Sequence, residues 1–181
     1  SFHTVTQNLE RPYDVRMSNL MVAVTHDLVR ETGACIGYTQ SDEISLLFYA
    51  DNLDTQIYFD GRIQKILSMT ASVASISFNT HMIKSLRDDI SGGTPLFDSR
   101  VFNVPTKNEA VSYFIWRERD ATKNSLTMAA HSFYSHKALQ GKRSPEKHDM
   151  LHAKGVNWND YPTFFKRGTY VKRIKKQIPF S

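Results

Sequence analysis

From Asp14 to Thr32, Leu20, Met21, Val24 and Leu28 recur on one face of a 3.6-residue repeat, and Gly33 follows as a stop. This pattern predicts an amphipathic helix turned towards a core. The pattern then changes: two short apolar runs, Cys35 to Thr39 and Ile44 to Tyr49, flank Gln40-Ser41-Asp42-Glu43 and predict a hairpin with acids at its tip. Ile63, Ile66, Leu67, Thr70, Val73, Ala74 and Phe78 return to helical spacing, predicting a second helix from Arg62 to Thr80 that packs on the sheet. After the break at Ser91-Gly92-Gly93-Thr94-Pro95, the segment Leu96 to Val104 is a strand candidate. Thr106 followed by Glu109 is a capping-box signature for a helix through Trp116, and the remainder reads as mainly helical up to a basic end.

Helices alternating with paired strands predict an α+β fold, an antiparallel sheet layered with helices on one face and followed by a helical, basic C-terminal extension. At 181 residues and 40% hydrophobic, the chain suits one core, and no repeat or linker divides residues 1–181.

Cys35 is the sole cysteine, which excludes an internal disulfide framework and fits a reducing cytoplasm. No stretch approaches the roughly 20 apolar residues needed to span a bilayer, so no membrane partner is expected. The formal charge is +5, and Lys166 to Ser181 carries Lys166, Arg167, Lys172, Arg173, Lys175 and Lys176 with no acid. Such a cluster suits a phosphate backbone, whose neutralisation releases counterions; the alternative is a solvated tail.

The hairpin tip carries the chemistry. Two adjacent acids, Asp42 and Glu43, occupy a turn that would ordinarily favour Gly, Asn or Pro. Carboxylates at a strand edge are hard oxygen ligands for Mg²⁺, the ion that neutralises and positions phosphates in phosphoryl transfer. Taken alone, such a pair is usually a solvated turn. His148 and His152 have the i, i+4 spacing of a helical zinc site but lack the zincin glutamate between them. The chain contains no Walker loop or dinucleotide fingerprint, and its Ser, His and Asp residues are too scattered to argue for a hydrolase triad.

Ser1-Phe2-His3, Arg11-Pro12-Tyr13-Asp14 and Gln40-Ser41-Asp42-Glu43, in this order and spacing, resemble successive motifs of the tRNA(His) guanylyltransferase-like family. Arg62-Ile63-Gln64-Lys65, Leu96-Phe97-Asp98-Ser99-Arg100, Trp116-Arg117-Glu118-Arg119-Asp120, Asn157-Trp158-Asn159-Asp160 and Lys166-Arg167-Gly168-Thr169 extend the resemblance over essentially the whole chain. It implies a polymerase-palm-like domain with a catalytic aspartate on each of two neighbouring strands. Asp42 matches the second aspartate, with Glu43 assisting metal binding or holding the site. The first normally lies in an Asp-Gly motif directly before the Ser-Phe-His segment, so its strand is expected upstream of Ser1.

By the same resemblance, two Mg²⁺ ions serve the reaction, and GTP, ATP and other nucleoside triphosphates are its substrates. Lys65 and Arg100, assisted by Arg62, match the basic residues that grip the triphosphate, with a solvated surface as the alternative for Lys65. Phe2, His3, Arg11 and Ser41 match positions around the nucleotide. Lys147, Asn157, Asn159, Lys166 and Arg167 match positions expected to face RNA.

Eukaryotic members carry His-Ile-Asn-Asn-Leu-Tyr-Asn where this chain has Thr122-Lys123-Asn124-Ser125-Leu126-Thr127-Met128. With Thr122 replacing the histidine, the chain resembles the bacterial, archaeal and phage-type branch, which repairs 5′-truncated tRNAs on a template. The implied function is template-dependent addition of nucleotides to the tRNA 5′ end in the 3′-5′ direction, by a homotetramer. The alternatives are a palm-type nucleotide cyclase, or a non-catalytic RNA-binding module if the chain starts at Ser1.

Overall fold

The computed structural model describes residues 6–50, 55–86 and 93–174. Helix α1 (Val15–Thr32) begins where the Asp14 carboxylate accepts the Arg16 backbone N–H at 2.9 Å, and it ends at Gly33, whose left-handed φ of 70° closes the last turn. Leu20, Met21, Val24 and Leu28 are buried as the periodicity predicts.

Strands β1 (Ile36–Gln40) and β2 (Glu43–Leu47) form the predicted antiparallel hairpin, closed by the pair Gln40 and Glu43. A third strand, β3 (Thr169–Lys172), pairs antiparallel with the other edge of β1, giving the order β2-β1-β3. The basic end is therefore part of the sheet at least to Lys172. Thr169, Tyr170 and Val171 are β-branched or aromatic residues suited to a pleated surface, and the flanking cations obscure that signal.

Helices lie against both faces of the sheet, not one. A side chain at Gly37 would place its Cβ 2.6 Å from Thr25 Cγ2 and 2.8 Å from Val29 Cγ2, so α1 rests directly on β1 backbone. On the opposite face, Tyr38 meets Phe114 edge to face with ring centroids 6.3 Å apart. Its hydroxyl donates to the Arg167 carbonyl at 2.8 Å, and burial raises its phenol pKa well above the ordinary value.

Helix α2 (Ile63–Ser85) packs along α1, where Phe78 and Ala74 join Leu20, Met21, Val24 and Leu28 in the main core. Between them, Asp27 accepts hydrogen bonds from Ser77 Oγ at 2.6 Å and His81 Nε2 at 2.8 Å, beside Arg30 at 3.2 Å. Burial pushes the Asp27 carboxyl up, but these partners together outweigh it and hold the pKa below the usual carboxylate range.

Residues 96–104 do not form the expected strand. They run over α2, bonded to its side chains: Phe97 N–H donates to Ser75 Oγ at 2.9 Å in place of a ladder partner, and the Thr70 and Ser99 hydroxyls lie 2.8 Å apart. Helix α3 (Lys107–His131) starts on Thr106, which accepts the Glu109 N–H at 3.2 Å, and it continues well past Trp116. Short helices α4 (His136–Leu139), α5 (Ser144–His152) and α6 (Thr163–Arg167) then build a second core of Leu126, Ala129, Leu151, Trp158 and Phe165.

Candidate active site

The hairpin tip is a two-residue loop, Ser41 and Asp42, between Gln40 and Glu43. Ser41 has φ 54°, a left-handed conformation that such loops need and that glycine usually supplies. A serine there costs about 1 kcal/mol, and the sheet and its neighbours hold it in place.

The two tip acids have different fates. Glu43 forms an ion pair with Arg117 of α3, whose side chain is only 12% exposed and which also lies 3.4 Å from Asp120 and stacks on Trp116 at 4.7 Å. Among the described residues, Asp42 has no hydrogen-bond or ion-pair partner, and it stands exposed at the tip. One carboxylate thus joins hairpin and helix, while the other is unpaired. Among the described residues, no group of three His, Cys, Asp or Glu side chains is gathered in a way that could hold a metal.

Asp42 borders two cavities. One, of about 270 Å³, is walled largely by apolar side chains, including Tyr13, Met17, Met21 and Phe165, with Arg11 and Asp14 at its polar side. Asp14 accepts from Arg16 Nη2 at 2.8 Å and from the Glu10 N–H at 3.3 Å. The Arg16 hydrogen bond holds its carboxyl below the usual carboxylate range despite burial. The second cavity, of about 290 Å³, separates the tip from α3 and is mixed in character: Gln40, Asp42 and Glu43 face Asn124, Thr127 and Met128. Behind it, Lys147 Nζ donates to Thr127 Oγ1 at 2.8 Å.

Ser41, Asp42, Glu43 and Arg11 therefore converge, and Lys147 approaches them through Thr127. Arg62, Lys65 and Arg100 border neither of these cavities. Arg62 caps α2 and donates to the Phe59 carbonyl at 3.2 Å, Lys65 sits 5.7 Å from the Phe59 ring, and Arg100 is 89% exposed beside Asp98. Asn157 accepts the Asn159 N–H at 3.0 Å to start a turn at Trp158. Lys166 donates to the Asn159 carbonyl, and Arg167 pairs with Glu118 at 3.1 Å. Phe2 and His3 lie outside the described residues.

Sequence reasoning does not single out Arg117, Gln40 or Thr127. Arg117 occurs in the run Trp116 to Asp120, and the available signal is electrostatic: two adjacent tip acids call for a nearby cation. Gln40 and Thr127 are identified only by the approach of α3 to the hairpin.

A sequence profile of the tRNA(His) guanylyltransferase family matches residues 1–105. The chain is 27% identical to a probable tRNA(His) guanylyltransferase of Drosophila melanogaster, over 93% of its own length and 61% of that protein. It is 28% identical to the tRNA(His) guanylyltransferase of Neurospora crassa, over 91% and 59%. It thus spans about six tenths of the length of these relatives. A bacterial tRNA(His) guanylyltransferase-like protein solved in complex with ATP superposes with a TM-score of 0.88 at 37% identity, covering 95% of this chain and 75% of that one. A second such structure, in complex with GTP, gives 0.79 at 33% identity over 98% and 72%. With the motifs, the hairpin site and these matches in agreement, the chain belongs to the tRNA(His) guanylyltransferase family.

Proposed function

We propose that this protein adds nucleotides to the 5′ end of tRNA in the 3′-5′ direction, choosing each by pairing with the opposite strand. The observation that carries this reading is Asp42, a carboxylate with no partner among the described residues, on a strained hairpin tip bordering two cavities. Family membership and the ATP and GTP in the related structures support it.

A tRNA 5′ monophosphate oxygen first bonds to the α-phosphorus of a nucleoside triphosphate as the bond to pyrophosphate breaks, so that a nucleoside monophosphate becomes the leaving group of the next step. The 3′-hydroxyl oxygen of the incoming nucleotide then bonds to the activated 5′ phosphorus, the bond to the leaving group breaks, and the hydroxyl proton passes to solvent. Asp42 would hold Mg²⁺, with a partner aspartate expected upstream of residue 1. The metal pair, when bound, would neutralise developing charge on the phosphates. Glu43 keeps the tip in register through Arg117, a holding role in place of direct metal contact. Arg11 and Ser41 border the apolar cavity and are assigned to the nucleotide, as are Phe2 and His3; Arg62, Lys65 and Arg100 are assigned to triphosphate oxygens. Lys147, Asn157, Asn159, Lys166 and Arg167 are assigned to RNA.

We read the domain as palm-like, the setting as cytoplasmic and the assembly as a homotetramer. No helix among the described residues is long and apolar enough to cross a membrane. The test is to present the full-length protein with several tRNAs lacking a 5′ nucleotide and to vary the base opposite the gap. Addition should follow the template across different tRNAs, with a loss of at least about a hundredfold in Asp42→Ala. Extension of tRNA(His) alone, always with G, would overturn the reading.

A further inference from the structure

The run from Trp116 to Asp120 carries more charge than the hairpin tip uses. Arg117 goes to Glu43, and both acids of the run are answered: Glu118 pairs with Arg167 at 3.1 Å, and Asp120 lies 3.4 Å from Arg117. Arg119 is exposed, and its side chain has no hydrogen-bond or ion-pair partner among the described residues. The same holds for the side chain of Lys123, one turn farther along α3. Two unpaired cations on a helix whose neighbouring acids are already neutralised leave a positive surface.

Helical geometry puts these residues in line. Trp116, Arg119, Lys123 and Thr127 stand at i, i+3, i+7 and i+11, one stripe of α3 about 16 Å long at the usual rise per residue. Thr127 accepts from Lys147 of α5 at 2.8 Å, so a third cation closes the far end. At the near end the Trp116 ring is 57% exposed, beside the Tyr113 ring at 6.0 Å and the Arg117 guanidinium at 4.7 Å. The Tyr113 hydroxyl lies 3.1 Å from Ser45 Oγ of β2, and Arg117 holds Glu43. Both neighbours of the indole are therefore tied to the hairpin that carries Asp42.

The chemistry of the stripe selects its partner. A guanidinium and an ammonium one turn apart suit neighbouring phosphates, and an open indole face takes a base whatever its identity. Another protein surface would bury Arg119 and Lys123 at a desolvation cost unless it supplied an acid for each. A nucleic-acid strand supplies an anion at every unit. Bases free to stack are those outside a duplex, and a tRNA that lacks a 5′ nucleotide has one opposite the gap.

We propose that an RNA strand lies along α3 on its way to the hairpin tip, with its phosphates on Arg119 and Lys123 and an unpaired base stacked on Trp116. This rests on the proposed function and names the surface that holds the tRNA next to its reacting end.

The experiment measures Kd of the full-length protein for a tRNA lacking one 5′ nucleotide, by fluorescence anisotropy over a range of KCl concentrations. Joint replacement Arg119→Gln and Lys123→Gln should weaken binding about tenfold at low salt and flatten the slope of log K against log salt by about 1.5, the loss of two phosphate contacts. Trp116→Leu should weaken binding at least about fivefold at every salt concentration with the wild-type slope, because a stacked ring releases no counterions. Both variants should keep the wild-type Kd for GTP by calorimetry and the wild-type sedimentation, and the cation variant carries the test alone if the tryptophan variant does not fold. Wild-type tRNA affinity and slope in the folded variants overturn the inference. So does a smaller assembly, which would turn this face of α3 towards another subunit, or an equal loss of GTP affinity, which would place these residues at the nucleotide. A wild type that binds the tRNA without extending it would instead sink the proposed function, and the affinities and slopes would still decide the role of the stripe.

Discussion

At the scale of single residues, the site depends on dividing the labour of two neighbouring acids. Arg117 is largely enclosed by Glu43, Asp120 and the Trp116 ring, so it neutralises one tip carboxylate and leaves Asp42 to act alone. Without it, Glu43 and Asp42 would be adjacent unpaired charges on a loop already strained at Ser41. Glu43 is still more than half exposed, and water screens the pair, so its energy is modest. A double-mutant cycle with Arg117→Ala and Glu43→Ala should give a coupling of about 1 kcal/mol in urea unfolding. Each single variant should lose activity more than stability. A coupling indistinguishable from zero would show that the contact does not hold the tip.

At the scale of elements, Asp14 couples the start of α1 to the apolar cavity. Its carboxylate caps the helix and is bonded by Arg16 and Glu10, and its pKa is held down in the folded protein. A depressed carboxylate stabilises the fold at every pH above its unfolded value of about 4, and that contribution disappears as pH falls through the lower folded value. Asp14→Asn retains a capping oxygen without the charge. Urea midpoints measured from pH 7 down to pH 3 should therefore fall more steeply for wild type than for this variant, and parallel curves would refute the assignment. At neutral pH, Asp14→Ala should cost roughly 1–2 kcal/mol. The start of α1 at Asp14 and its stop at Gly33 were legible in the sequence because caps and periodicity are local signals, as was the hairpin with its acids. The strand expected over residues 96–104 is absent, a difference hidden in the sequence because an apolar extended run has the same pattern whether its backbone bonds another strand or, as Phe97 does, a helix side chain such as Ser75. β3 was hidden because its pairing with β1 spans most of the chain, and Arg117 and Gln40 because only tertiary contact brings α3 to the tip.

At the scale of the whole molecule, the apolar surface remains unequally covered. Ile76 and Ile83 lie seven residues apart on one face of α2, both largely exposed, and Leu96 is more exposed still. The Asn79 side chain donates to the Pro95 carbonyl at 2.9 Å, which brings the start of the 96–104 segment to the same helix. Phe102, Val111 and Trp116 are also large exposed apolar residues, farther along towards α3. Single exposed leucines are ordinary on soluble proteins, but a helix that turns isoleucines outward two turns apart beside another exposed leucine has a surface suited to burial by a second copy. In the proposed tetramer, this face of α2 would lie between subunits. Replacing Ile76 and Ile83 together by Glu should shift sedimentation from tetramer towards dimer or monomer. The monomer's own fold should be barely affected, because both side chains already face solvent in the isolated chain. Helix content by circular dichroism and the urea midpoint of the dissociated form check that second expectation. If the double variant sediments as wild type does, the subunits meet elsewhere and α2 is a solvent face.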